Sequence, residues 1–491
     1  MIYTIVISLY ILALLWITVF ALGQLGLSRY YLKAQKNEPK SIAKLTILPS
    51  VTVQLPMYNE KYVVDRLIEA AIHLDYPADK LTIQILDDST DETSQIITAK
   101  IAALKKTDIT IQHIQRTDRV GFKAGALANG LTKTNDEYIA IFDADFIPNS
   151  DFLKSTLPYF SHDKIGMVQT RWTHLNEDFS LLTRMQAFGL NAHFSVDQAG
   201  RSAAGSFINF NGTGGIWRKT CIQSAGGWQH DTLTEDLDLS YRAQLAGWQF
   251  EYIESIECPA ELPIMIPAIK SQQYRWNKGA AESARKHLPA IFKSGLAPIH
   301  KLRAALHLLN SSVFLFLLIA AALSIPMLYI KSVRADLGLF FDLGTIFVVG
   351  FVAIGFYYWV STLKTHRDER RLWYYLKNFP LFMVFSMGLA LHNSIAIVEG
   401  LVGKKTPFIR TPKFNVIAKS DTWVDNKYLG QIQSTAVSTW MEGVLSLYFL
   451  FGVGYGILIG DYGLLIWHSM LALGFGAVCL LSIRSSQYAI A

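Results

Sequence analysis

Tyr138-Ile139-Ala140-Ile141-Phe142-Asp143-Ala144-Asp145 is an unbroken apolar run that ends in two carboxylates one residue apart. A run this short, closed by turn residues, is the pattern of a strand buried on both faces, and such strands belong to parallel α/β sheets. Three more runs repeat it, at 51–55, 81–86 and 109–114, and the second leads into Asp87-Asp88. Helical patterns separate the runs, so residues 45–295 read as one Rossmann-like, mostly parallel α/β domain. Strand ends are where an open sheet presents its ligand crevice. Two of the four ends carry aspartates.

Outward from that domain the composition changes. Apolar residues make up 51% of the 491-residue chain and charged residues only 17%, which points to membrane-embedded mass beside a soluble part. Residues 2–22 are apolar, and the basic residues Arg29, Lys33, Lys36 and Lys40 come only after them. That order reads as a retained spanning helix over 1–27 with its N-terminus outside, rather than a cleaved signal. Beyond Lys301 lie apolar segments at 304–330, 338–360, 379–401, 443–460 and 462–481. Most are long enough to cross a bilayer of ~30 Å. The third is flanked by Lys364, Arg367, Arg370 and Arg371 on one side and Lys404, Lys405, Arg410 and Lys413 on the other, so crossing would leave one basic cluster outside. It is expected to lie at the interface or re-enter. Five spans result, with hairpins over 300–362 and 437–485, an interfacial helix and loop over 372–430, and a cytosolic α/β domain. The net charge of +6 is small for this length, and the basic residues sit beside apolar runs, the pattern of membrane anchoring and not of a nucleic-acid surface. Cys221, Cys258 and Cys479 have no paired spacing, so neither a disulfide framework nor a zinc site is implied.

Four pieces of the domain carry chemistry. Asp143 and Asp145 can hold a divalent ion, Mg²⁺ or Mn²⁺, that keeps waters and takes phosphate oxygens; alone, such a pair would more often be a strand-ending turn. The carboxylates of Asp87 and Asp88 can accept from a base or ribose edge, although the following Ser89 and Thr90 also suit a helix cap. Tyr58 and Glu60, in Pro56-Met57-Tyr58-Asn59-Glu60, would form another wall of that pocket, and Lys123 in Gly121-Phe122-Lys123-Ala124-Gly125 offers a cation. Thr234-Glu235-Asp236 opens a helical pattern, where acidic residues commonly complement the helix dipole. The competing reading makes Asp236 a base that takes the proton of an attacking hydroxyl. In Gln272-Gln273-Tyr274-Arg275-Trp276, the planar fork of Arg275 suits a diphosphate and the face of Trp276 a sugar ring, against the alternative of an interfacial anchor.

In this order, between hydrophobic segments, these pieces resemble the D, DxD, TED, QxxRW series of family-2 glycosyltransferases. The stretch from about Val51 to Gly279 resembles cellulose-synthase-like A and C proteins, the β-mannan and β-glucan synthases, and more widely bacterial cellulose synthase. The likeness runs through Gln54-Leu55-Pro56-Met57-Tyr58-Asn59-Glu60, Leu86-Asp87-Asp88-Ser89-Thr90-Asp91, Lys123-Ala124-Gly125-Ala126-Leu127, Phe142-Asp143-Ala144-Asp145-Phe146 and Phe210-Asn211-Gly212-Thr213-Gly214-Gly215-Ile216-Trp217-Arg218. It implies a GT-A fold. It also implies that Tyr58, Glu60 and Asp87 contact the nucleotide, Asp143 and Asp145 the metal, and Arg275 the diphosphate. Asp236 would be the base at the tip of a finger helix, with Gly212, Thr213, Gln272 and Trp276 on the acceptor side. Phe408, Thr411 and Lys413 resemble the gating-loop pattern FxVTxK, with Arg410 in the Val position.

The resulting expectation is a multi-pass inverting glycosyltransferase that polymerises a β-linked, preferentially β-1,4, polysaccharide and passes it through its own helices. Its partners would be a donor, GDP-mannose or UDP-glucose, a growing β-glycan acceptor and the lipid bilayer, with no nucleic acid. The expected membrane is the bacterial cytoplasmic one. Two rivals stand beside it, a glycolipid synthase making one transfer to a lipid and a non-catalytic nucleotide-binding membrane protein.

Overall fold

The computed structural model describes residues 1–36, 45–104, 108–366, 368–423, 426–431 and 437–488, so Lys40 and Arg367 of the basic clusters lie outside the described residues. Seven strands, β1 (Val51–Met57), β2 (Leu81–Asp87), β3 (Thr110–Gln115), β4 (Tyr138–Ile141), β5 (Ile165–His174), β6 (Gly215–Arg218) and β7 (Gln249–Ala260), form one sheet in the order β3-β2-β1-β4-β6-β5-β7. All neighbours are parallel except β6, which is antiparallel to β4 and β5.

The continuous apolar runs are explained by burial on both faces. Alternate residues of a strand point to opposite faces, and here Val51, Val53, Ile83, Ala140 and Phe142 enter one core while Leu86, Ile139, Ile141 and Trp217 enter the other. Phe142 is fully buried and meets the Phe152 ring edge-on at 4.9 Å. Truncating a core phenylalanine to alanine costs about 3–5 kcal/mol. From β1 the sheet runs one way to β2 and β3 and the other way to β4, which makes a switch point where the C-terminal ends of β1 and β4 diverge. β6 begins at that same end, with Gly215 opposite Ile141, so the segment just before it lies on the rim of the crevice.

Among the described residues, five helices are long and apolar enough to cross a membrane: Ile2–Ala34, Ser312–Val333, Val348–Thr365, Val437–Ile459 and Leu465–Ser486. Arg371–Gly388 and Ala390–Val402 form a pair bent by 50° at a short break, which would make a sixth span only if the pair crossed as one. Between sheet and membrane runs the helix Ile266–Lys293, which carries Arg275 and Trp276. The Lys270 ammonium on it pairs with Glu442 Oε2 at 2.7 Å and donates to Ser482 Oγ at 3.1 Å, tying the helix to the last membrane hairpin.

Candidate functional site

A solvent-open cleft of about 680 Å³ lies beyond the ends of β1, β2 and β4, and its lining includes Tyr58, Glu60, Asp88, Lys123, Asp143, Asp145, Arg275, Phe408, Thr411 and Lys413. Ten of the residues singled out from sequence thus meet in one place. Asp87, Gly212, Thr213, Asp236, Gln272 and Trp276 are not part of that lining.

Each carboxylate of the Asp143-Ala144-Asp145 turn meets a cation. Lys123 Nζ lies 2.5 Å from Asp143 Oδ1, and Lys413 Nζ lies 2.5 Å from Asp145 Oδ2. Burial pushes the Asp143 carboxyl up, and the neighbouring Lys123 only partly offsets this. Among the described residues, no group of three or more His, Cys, Asp or Glu is close enough to cage an ion. Two carboxylates on one turn would leave most of a divalent ion's shell to water and a ligand's phosphates, and an ion there would have to displace the Lys123 and Lys413 ammoniums that now hold them. The Lys123 side chain is largely buried. Its ammonium also donates to Gly212 O at 2.9 Å and lies 3.8 Å from Glu235. Burial works against its charge, but Asp143 and Glu235 together hold its pKa above the usual lysine value. The motif's second glycine has a steric reason: a Cβ on Gly125 would sit 2.1 Å from Val120 O.

Asp236 stands in the first turn of the helix Glu235–Leu245. Its Oδ1 accepts from the Leu237 N–H at 2.8 Å, so a free N–H of the helix's first turn accounts for one oxygen. The other faces Gly212. Gly212 has φ +82°, and a Cβ there would lie 3.1 Å from Asp236 Oδ2 and 3.3 Å from Lys123 Nζ, so this glycine keeps the approach open. Burial, reinforced by the Glu235 carboxylate, pushes Asp236 up to about 7, in the range of a general base. Thr213 Oγ1 accepts from the Asp143 N–H at 2.9 Å, which fixes the Gly212-Thr213 loop to the DxD turn.

Asp87 departs from its expected place. As the last residue of β2 it points inward, and Ser89 N, Ser94 Oγ, His113 Nε2 and Gln115 Nε2 surround its oxygens at 2.5–3.3 Å. Burial opposes its charge, but the hydrogen bonds from His113, Ser94 and Ser89 win and hold its pKa well below the usual carboxylate range. Alternation along the strand turns Asp88 into the cleft instead, where the Arg116 fork grips it.

The 408–413 segment lies inside the cleft. The Phe408 ring stacks on Phe122 at 5.7 Å, and Arg275 Nη1 donates to Ile409 O at 2.7 Å and Thr411 Oγ1 at 2.9 Å. Burial lowers the Arg275 guanidinium to about 10, still charged at neutral pH. Arg410, in the position where the gating pattern has Val, pairs with Glu60 Oε2 at 2.8 Å and stacks over the Tyr428 ring at 4.3 Å. Burial nonetheless raises the Glu60 carboxyl to about 7 against the pull of Arg410 and Lys413. Gln272 and Trp276 lie half-buried four residues apart on one face of the Ile266–Lys293 helix. Sequence reasoning missed Arg119, whose guanidinium covers the Tyr58 ring 3.1 Å from its centroid, and gave Arg410 no partner. The clue to the first was its place three residues after Arg116 and just ahead of the Gly121 turn.

Residues 49–279 match the family described as "Glycosyltransferase like family 2". The "Probable glucomannan 4-beta-mannosyltransferase 2" of Oryza sativa subsp. japonica is 35% identical over 437 residues, 87% of this chain and 73% of the relative. The rice "Probable glucomannan 4-beta-mannosyltransferase 4" is 39% identical over 72% of this chain and 63% of its own length. The Arabidopsis thaliana "Glucomannan 4-beta-mannosyltransferase 2" is 44% identical over 50% of this chain and 47% of its own. Across these three, the match spans from about half to about three quarters of the relative's length. All three are plant proteins, so the bacterial membrane expected from the sequence finds no support in them. Among solved structures, a Pyrobaculum calidifontis mannosyltransferase in complex with GDP-Man and Mn²⁺ aligns over 73% of this chain and 99% of its own at 20% identity and TM-score 0.49, a likeness too slight to bear on the reading.

Proposed function

The chain belongs to glycosyltransferase-like family 2, with a GT-A sheet and several helices fit to cross a membrane, and from that premise we propose that it is an inverting β-1,4-mannosyltransferase that extends a β-linked polysaccharide from GDP-mannose. The names of the plant relatives support mannose over glucose. The observation that carries the chemistry is the meeting of Asp236 Oδ2 and Lys123 at Gly212, beside Asp143 on the cleft rim.

In this reading the nucleotide lies along Tyr58 and Asp88, and Arg275 faces the diphosphate with its paired donors. Asp143 and Asp145 would hold a divalent ion, Mg²⁺ or Mn²⁺, which when bound would neutralise charge on the leaving diphosphate. Asp236 takes the proton of the acceptor hydroxyl as that oxygen bonds to the anomeric carbon. The bond from that carbon to the diphosphate breaks on the opposite face, so the configuration inverts. Trp276 supplies a flat apolar face for the acceptor end, and Phe408, Thr411 and Lys413 close over the donor. Catalysis on the cytosolic side and passage of the chain through the membrane helices complete the proposal.

The test is to supply isolated membranes with labelled GDP-mannose or UDP-glucose, with Mg²⁺ or Mn²⁺, and to digest the product with an endo-β-1,4-mannanase. Mannanase-sensitive polymer from GDP-mannose is the expected result. Polymer from UDP-glucose alone overturns the donor assignment, and a one-sugar product extractable in organic solvent overturns polymerisation.

A further inference from the structure

Next to the Gly212-Thr213 loop, outside the lining of the cleft, lies a polar network that the proposed reaction leaves unused. The helix Leu181–Ala192 runs into a π-helical turn, His193–Gln198. Asp197, buried, holds His193 Nδ1 at 3.0 Å with Oδ2 and pairs with Arg201 at 2.8 Å through Oδ1. Because the carboxylate accepts, Nδ1 of a neutral His193 carries the proton and Nε2 is left as an acceptor. Nε2 lies 3.1 Å from Asn211 Nδ2, and Gln198 Nε2 donates to Asn211 Oδ1 at 2.6 Å. Both ends of the Asn211 amide are thus engaged in one consistent direction. The Asn211 N–H donates to Gln169 Oε1 at 2.9 Å, which leaves the residue little freedom.

The π turn is what makes this possible. At 3.6 residues per turn, side chains five apart on an α-helix point about 140° away from each other. The wider i→i+5 turn brings the fifth residue back beneath the first, and such turns occur often at functional sites. His193 and Gln198 are five apart and grip the same amide. The residue after that amide is Gly212, whose open side faces Asp236 Oδ2 and Lys123 Nζ, and the next is Thr213, bonded to the Asp143 N–H.

We infer that His193 and Gln198 are positioning residues: by clamping Asn211 from a π-helical turn they set the Gly212-Thr213 loop against Asp236, and so set where the acceptor hydroxyl meets its base. The acceptor role rests on the glycosyltransferase reading above; the clamp itself does not. Neither side chain borders the donor cleft. Their removal acts on turnover and not on nucleotide affinity.

His193 is the residue to change, because its side chain is 29% exposed and truncating it need not unfold the domain. In the full-length protein in detergent, His193→Ala is expected to lower kcat by about tenfold to a hundredfold, the scale of a sub-ångström to 1 Å misplacement. The affinity for GDP should stay within about twofold of wild type, about 0.4 kcal/mol. His193→Gln, whose amide oxygen can accept from Asn211, should restore most of the turnover. Amide exchange over 210–214 should speed up in His193→Ala and also in Gln198→Leu. If GDP affinity and kcat fall together, if Gln does not rescue, or if exchange over 210–214 is unchanged in both variants, the clamp is wrong. Should the wild-type protein transfer no sugar from any donor, the enzyme reading fails while the exchange measurement still decides the clamp.

Discussion

Replacing Lys413 by methionine should make the donor-free protein bind Mn²⁺ more tightly. The Lys413 ammonium lies 2.5 Å from Asp145 Oδ2, and both side chains are 11% exposed. It therefore occupies the carboxylate that a divalent ion would need. A charge-assisted contact of this kind is worth about 1.5–3 kcal/mol net, and slight solvent access puts this one near the lower figure. At 1.4 kcal/mol per factor of ten, relief of that competition corresponds to about a tenfold gain in affinity. Methionine keeps the apolar stem and removes only the charge. The assay is titration of detergent-solubilised protein with Mn²⁺, reading free ion by electron paramagnetic resonance, with no nucleotide present. Lys427→Met is the control, because Lys427 pairs with Glu92 at 3.1 Å in an exposed position and should change nothing. Turnover with donor should fall in Lys413→Met even as ion affinity rises, and those opposite signs separate competition from simple loss of charge. An unchanged or weaker Mn²⁺ affinity would refute the reasoning.

Asp236→Asn should lose about 10²- to 10⁴-fold in turnover while still binding GDP in a direct binding assay, since the base is needed only for attack. With Asp236 raised to about 7 by burial, its unprotonated form disappears as pH falls, so wild-type kcat/KM should decline on the acid side of about pH 7; a flat profile between pH 5 and 8 removes Asp236 as the base. Arg410→Val and Glu60→Gln should be non-additive in a thermal double-mutant cycle, with a coupling of about 1 kcal/mol or more from their 2.8 Å pair, and additivity within about 0.3 kcal/mol means that the pair does not hold the segment down. Asp87→Ala should destabilise the domain by about 3 kcal/mol, read as a lowered Tm. The Asp87 pKa is depressed in the folded protein, so its stabilisation is present above the ordinary aspartate range near 4 and is lost as pH falls below it; a wild-type Tm no more acid-sensitive than that of Asp87→Ala contradicts this.

The sheet was legible because its central strands are buried on both faces, which leaves an apolar run that no amphipathic helix would show. The long apolar helices were legible for a similar reason. The DxD turn, Asp236 and Arg275 sit in short motifs whose residue types already limit their chemistry, and the fold brings the first and last of these into one cleft. What failed to show was of another kind. Asp87 and Asp88 differ by one position, and a strand turns successive side chains to opposite faces, so the facing residue depends on where β2 ends. The pairing of Arg410 with Glu60 spans some 350 positions of chain and leaves no local trace. The π turn has no sequence period distinct from an α-helix over so few residues, which is why His193 and Asn211 gave no sign of meeting.

The helix Ile266–Lys293 joins the two halves of the site. Arg275 grips Thr411 at the far part of the inserted segment, and Lys278 Nζ, fully buried, donates to Thr406 Oγ1 at its near end at 2.7 Å. Tyr274 donates to Glu399, whose helix leads into the segment. All three anchors fall within two turns, and Trp276 lies among them. A helix is stiff along its axis, with about 1.5 Å per residue between anchors. Thr411 therefore cannot move far while Trp276 stays still unless the bond to Arg275 breaks. About one turn before Tyr274, Lys270 fastens the same helix to Glu442 and Ser482 of the last membrane hairpin. In the proposed reaction Arg275 and Trp276 serve donor and acceptor, and they share one rigid element with the Lys270 anchor, so the covering of the donor and the placing of the acceptor would be mechanically one event.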